Sequence, residues 1–387
     1  MGRNIRLPRM RATTLVKELD KAREAGRSIY QLRDTIVLGP LDLKNRTVEV
    51  AVDIQNRHFK GRVDLRYCEF KQAVKFCNCT FRKEFNSGDD TDSHTVYRKN
   101  LICNDAIFVS VARFRGIRCE GYALFRSARF LRAAPLRDET RGSLLERPPV
   151  DFTGASFAGG LDCTDASFCG GVTFNVVDCR VASFKDARFL RKGPLEDRTQ
   201  GKDLQRPPVD FTVASFKSLE CDGVVFGGAV SFRGIECAAR ASFQKARFEQ
   251  DELLKDAIGT LPDEIGKTVP VDFTGASFGY LNALGATCIG AVSFNSVKCT
   301  GDAVFKGAHF PRRKWEDLPD DQLKECNVDF KYSDFRSGLI LQGARFKRPV
   351  TLKRARISDT LNLNGATFCD SVSFYGTRIG RLRFRNS

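Results

Sequence analysis

Residues 150–189 read VDFTGASFAGGLDCTDASFCGGVTFNVVDCRVASFKDARF. A large residue recurs at Phe152, Phe157, Cys163, Phe168, Phe174, Cys179, Phe184 and Phe189, in steps of five or six. Two positions before each stands a small or aliphatic residue: Val150, Ala155, Leu161, Ala166, Val172, Val177, Ala182 and Ala187. The residue between them is usually polar, and turn-compatible residues follow. An apolar–polar–apolar triplet is a very short strand with both apolar side chains on one face. A period of five fits neither a helix nor a hairpin. It fits a chain that turns a corner after every triplet, so that four corners close a coil of about twenty residues.

The frame extends almost from end to end. Of the 32 Phe, only Phe59 and Phe85 fall outside it. A longer period of about 60 residues lies over the first: Val150-Asp151-Phe152, Val209-Asp210-Phe211, Val271-Asp272-Phe273 and Val328-Asp329-Phe330 each open a block. Each central block holds two four-sided coils and then an insertion. The insertions are 131–149, 190–208, 249–270 and 311–327, and an earlier one, 86–100, interrupts the N-terminal part. Two-coil spacing places the four later insertions above one another on one edge.

This pattern resembles the pentapeptide-repeat family, whose unit is A-(D/N)-L-x-x with Phe often replacing Leu and Cys replacing Ala. The resemblance covers roughly residues 36–384. It implies an all-β fold, a right-handed quadrilateral parallel β-helix. It also implies a structural core of inward residues: Phe152, Phe157, Phe168, Phe174, Phe184, Phe189, Phe211, Phe216, Phe273 and Phe278, with Cys179 and Cys237 at equivalent places. Stacked triplets bury together what none buries alone. About twelve coils at about 4.8 Å each would make a rod of roughly 60 Å. The domain reading is therefore a basic N-terminal segment, 1–35, followed by one β-helix, 36–387. Within 13–26, TTLVKELDKAREAG, Leu15, Leu19 and Ala22 share a helical face and Gly26 suits a stop, so a short helix is expected to cap the first coil.

Composition narrows the function classes. A charged fraction of 28% beside 42% hydrophobic residues excludes wholesale disorder. No apolar run is long enough to span a membrane as a helix. The basic start, Met1 to Arg6, has no apolar stretch behind it and does not read as a secretory signal. Fourteen Cys invite a metal or disulfide reading, but most sit at inward frame positions without Cys-x-x-Cys pairs or His partners. They read as small hydrophobes in a reducing, cytoplasmic compartment. His94, near Asp89, Asp90 and Asp92, lacks a full cation ligand set. No phosphate loop or nucleophile elbow occurs, and exposed Ser and Asp recur with the repeat. The sequence thus points to no enzyme, no metal and no cofactor.

The net charge of +16 is concentrated at the ends. Residues 341–387 carry ten Lys/Arg against two Asp/Glu, and residues 1–35 carry nine against four, so the stretch between is close to neutral. Three functions compete. The first is a non-catalytic scaffold that binds a protein partner through the insertion edge or the solenoid faces, with Leu253, Leu254, Ile258, Trp315 and Leu318 as apolar candidates. The second is nucleic-acid association through Lys347, Arg348, Lys353, Arg354, Arg356, Arg378, Arg381, Arg383 and Arg385. The third comes from the resemblance alone: members of the family protect DNA gyrase and topoisomerase by imitating DNA. That role calls for an acidic body, which a near-neutral one does not supply.

Overall fold

Triplets such as Ser156-Phe157, Ser167-Phe168 and Val172-Thr173 form strands of two residues, too short to stand alone. Each is held by parallel partners one turn of chain away. The computed structural model describes residues 7–89, 94–140, 143–198, 204–249, 254–255, 267–268, 270–311 and 327–385. These fall into two compact units, one built from residues up to Ala134 together with Pro149–Ala182, the other from Pro135–Pro148 together with the residues from Ser183 onward.

In the first unit the chain passes four walls per turn. One wall stacks Ile36–Leu38, His58–Phe59, Thr80–Phe81, Ile107–Phe108, Arg129–Phe130 and Ser167–Phe168, all parallel. The next stacks Leu41–Asp42, Val63–Asp64, Phe85–Asn86, Ala112–Arg113, Val150–Asp151 and Val172–Thr173. Two further walls follow, through Glu69–Phe70 and Ser156–Phe157, and through Val74–Cys77 and Gly160–Asp162. The rings Phe59, Phe81, Phe108, Phe130 and Phe168 form one column with centroids 4.7–5.0 Å apart. The first coil is covered by the helix Ala12–Glu24, which buries Ala12, Leu15, Leu19 and Ala22. The following Gly26 takes φ +63, the left-handed conformation that ends such a helix.

The second unit repeats the plan. One wall runs Arg188–Phe189, Val225–Phe226, Arg247–Phe248, Thr287–Cys288, His309–Phe310, Arg345–Phe346 and Thr367–Phe368. A second runs Val209–Asp210, Val230–Ser231, Val271–Asp272, Val292–Ser293, Val328–Asp329, Val350–Thr351 and Val372–Ser373. Behind the second wall Phe211, Phe232, Phe273, Phe294 and Phe330 stack at 4.7–5.1 Å. Here Ala283 and Cys288 take places where neighbouring coils present Phe. They leave a small apolar cavity of about 20 Å³, also lined by Phe243, Phe248, Phe273 and Phe294. The inward residues Phe152, Phe157, Phe168, Phe174, Phe184, Phe189, Phe211, Phe216, Phe273, Phe278, Cys179 and Cys237 are each 3% exposed or less.

The recurring Asp of Val-Asp-Phe-Thr has a local task. Asp151, Asp162, Asp210 and Asp272 each accept the backbone N–H two residues on, at 2.8–3.0 Å, and so close the corner.

The structure departs from the sequence frame at 85–100. Phe59 belongs to the ring column, stacked on Phe81 at 5.0 Å. Phe85 stands in register with Val63 and Ala112, where a small residue is usual, and is 0% exposed. Ser87 then takes the large position, and its hydroxyl hydrogen-bonds that of the buried Tyr97 at 2.7 Å. Tyr97 stacks on Phe70 at 5.0 Å, in the strand Val96–Tyr97. Asn86, Ser87 and residues 95–97 are therefore wall, not insertion. The exchange of large and small across one corner conserves volume, which hides it from a positional pattern.

Candidate functional site

Two features of the second unit stand outside the repeating wall, a lateral sheet made from the insertions and the open basic end. The insertions 131–149 and 190–208 each fold as an antiparallel hairpin, Leu136–Thr140 with Ser143–Arg147 and Leu195–Arg198 with Leu204–Arg206. The hairpins then pair with each other, Leu144 opposite Arg198 and Leu145 opposite Asp197. A third hairpin, Leu254–Lys255 with Lys267–Thr268, lies beside Leu204–Arg206.

Spacing explains why this sheet can form. Rings stacked in consecutive coils lie 4.8 and 5.1 Å apart at Phe189, Phe226 and Phe248. Two coils therefore advance by about 10 Å, and a hairpin two strands wide at about 4.8 Å per strand has the same width. An insertion every second coil fills the edge without gap or overlap.

Glu146 fixes the arrangement. It is 3% exposed. Its carboxylate accepts from Arg137 Nε at 3.1 Å and from the Glu196 N–H at 3.1 Å, and lies 3.6 Å from Arg191 Nη2. Its carbonyl oxygen accepts from Arg206 Nη2 at 2.6 Å. Burial lowers the pKa of Arg191, while Glu146 and Glu196 act to raise it. Arg206 lies 3.4 Å from the buried Asp197, and Arg147 lies 3.8 Å from Asp138 at the equivalent place in the first hairpin. Opposite charges across antiparallel strands stabilise the pairing and set its register.

Of the candidate insertion residues, Leu254 lies in the third hairpin. Leu253, Ile258, Trp315 and Leu318 lie outside the described residues.

At the other feature, Lys347, Arg354, Arg356, Arg378, Arg381, Arg383 and Arg385 are exposed and Lys353 is half-buried. Arg348 is a correction to the sequence grouping. It is 3% exposed, with Nε donating to the Pro311 carbonyl at 2.8 Å and Nη2 donating to the Ile289 carbonyl. Those carbonyls sit where the wall departs toward an insertion and are free to accept, and a guanidinium fork can serve both.

The remaining polar clusters are structural. In the first unit Arg66 pairs with Asp64 at 2.7 Å and with Asp89 at 3.3 Å, and the Tyr67 hydroxyl donates to Asp89. Burial works to raise the pKa of Asp64, but hydrogen bonds from Arg66 outweigh it and hold it low. His94 packs its ring against Gly116, with no acidic partner among the described residues. Buried thiols are inert for the reason burial predicts: desolvation pushes Cys68, Cys79 and Cys179 up to about 12, and Cys119, Cys237 and Cys299 up to about 11. Among the described residues no cluster could hold a metal ion, and no helix is long and apolar enough to cross a membrane.

Comparison with known proteins bears on the repeat itself. The family described as pentapeptide repeats (9 copies) matches residues 341–387. No curated protein matches the chain. Among solved structures, HetL, a pentapeptide repeat protein involved in heterocyst differentiation regulation from the cyanobacterium Nostoc sp. strain PCC 7120, aligns at 13% identity over 94% of this chain and 96% of its own, with a TM-score of 0.24, a superposition too poor to bear on the fold. The match at 341–387 falls on coils built like those before them, in four short parallel walls around stacked rings. The chain is therefore a pentapeptide-repeat protein.

Proposed function

We propose that this chain is a non-catalytic scaffold that binds a protein partner through its insertion edge. One observation carries the reading: the insertions form a hydrogen-bonded sheet pinned by Glu146, rather than separate loops. A sheet built out from the wall offers a rigid surface, and rigid surfaces lose little entropy on binding. The strand Leu136–Thr140 has a hydrogen-bonded neighbour on one side only among the described residues, which also suits strand addition. The many buried thiols fit a reducing compartment such as the cytoplasm. Imitation of DNA is disfavoured, because the surface charge is basic at the ends and mixed along the insertions.

The test is removal of the edge. Residues 190–208 are replaced by a tight turn, and the variant is checked by circular dichroism and used in affinity purification from the native host with nuclease present. The reading expects a folded variant that no longer recovers a partner held by the unaltered chain. Equal recovery by both proteins would overturn it.

A further inference from the structure

The last coil is open, and its geometry specifies what would close it. The strand Arg378–Arg383 pairs on one side with Arg356–Asn362 and has no partner on the other among the described residues. One coil earlier, the inward residues Ile357 and Leu361 are 1% and 0% exposed. Leu382, in register with Leu361, is 56% exposed, and Phe384 just beyond is 59% exposed. Phe374 and Tyr375, on the adjoining corner, are 40% and 68% exposed. These apolar residues project where each earlier coil is covered by the next.

Outward positions carry the second half of the argument. On this wall Asp334, Arg356 and Arg378 are consecutive rungs of one ladder, so an acid is followed by two bases in direct register. Thr360 faces Arg381 and Asn362 faces Arg383. Among the described residues, none of Arg356, Arg378, Arg381, Arg383 and Arg385 is in an ion pair. Like charges on neighbouring rungs repel, and a carboxylate on the next rung would relieve them. A second copy of this end would set Arg against Arg.

We infer that the open edge docks an extended segment of an acidic partner protein, one in which apolar residues alternate with Asp or Glu. The apolar residues would cover Leu382 and Phe384. The carboxylates would meet Arg378, Arg381 and Arg383. The backbone would complete the unpaired ladder, as in other strand-addition complexes. This surface is separate from the hairpin edge, and the variants that test one leave the other intact.

The probe is a labelled peptide of about ten residues alternating Val and Glu, a length typical of strands. Controls are the same peptide with Ser for Val, and an oligothymidylate of similar charge. Fluorescence anisotropy is read with the full chain and with Arg381→Glu/Arg383→Glu, whose exposed positions leave the core untouched. A thermal melt confirms the fold of that variant. The inference expects the Val-Glu peptide to bind at least about tenfold more tightly than the Ser-Glu peptide. It expects binding to weaken with salt and to fall about tenfold or more in the double variant. Absence of binding, equal binding of the two peptides, or binding unchanged in the variant would overturn it. Tighter binding of the oligothymidylate, lost in the same variant, would assign the end to nucleic acid instead. Sedimentation of the chain alone supplies a further arm: self-association abolished by the substitutions would assign the end to a second copy.

Discussion

Phe232→Ala tests what holds one coil to the next. Phe232 is 0% exposed and stacks on Phe211 at 5.0 Å and on Phe273 at 4.7 Å. It also meets Phe226 and Phe243 edge-on at 5.8 and 5.2 Å. Burial of a Phe side chain contributes about 1.5–3 kcal/mol. Aromatic pairing adds about 0.5–1.5 kcal/mol for each good contact. The substitution also opens a cavity that stiff walls cannot close, so about 3–5 kcal/mol should be lost. Phe374→Ala removes the same atoms from a residue 40% exposed at the open end and should cost about 1 kcal/mol. Urea denaturation followed by circular dichroism measures both. Neighbour coupling allows a single coil to fray, so transitions are compared at the midpoint, and hydrogen exchange locates the loss. A loss below about 1 kcal/mol for Phe232→Ala, or equal losses for the two variants, would refute the view that the ring columns hold the stack.

Other outcomes follow from the same geometry. Glu146→Gln should leave Arg191 and Arg137 without their carboxylate and cost the hairpin sheet about 1–3 kcal/mol, read as faster hydrogen exchange at 143–147 and 195–198 with the coils unchanged. Val213, a β-branched residue 58% exposed at φ +56, should gain about 1 kcal/mol on replacement by Gly, whereas Gly275→Val, at φ +70 with open space around it, should lose a similar amount, both seen as shifts in denaturation midpoint. Ala283→Val should fill the cavity beside Phe243 and Phe294 and raise the midpoint by about 0.5–1 kcal/mol of stability. The buried thiols are neutral in the folded chain and ionise on unfolding. Their stabilisation is thus complete below the unfolded thiol value of 9.0 and falls by up to about 1.4 kcal/mol per pH unit per thiol as pH rises toward 11 for Cys237 and 12 for Cys179. Alkaline denaturation curves should show this loss, and Cys237→Ala should reduce it.

How much was legible beforehand depended on whether a residue obeys the five-residue frame. Phe152, Phe211 and Phe273 were readable because each rung repeats the same geometry and burial follows from position alone. Phe85, Ser87 and Tyr97 were not, because their fit depends on each other across a corner and not on the frame. Arg348 shares the composition of an exposed basic end, and only the path of the chain at Ile289 and Pro311 turns it inward. The stacking of the insertions was legible from their spacing. That they would hydrogen-bond to one another was not, since it depends on hairpin width and on the buried Glu146.

The agreement between hairpin width and coil pitch also limits how such a chain can grow. Hairpin strands begin at Leu136 and Leu195, and the third hairpin strand begins at Leu254, a constant step of two coils and one insertion. Loss or duplication of a single coil would keep every ring stacked, yet it would slide neighbouring hairpins apart by one strand and break their pairing. The heritable unit of length is therefore the pair of coils with its hairpin, and the lateral sheet acts as a parity check on the repeat.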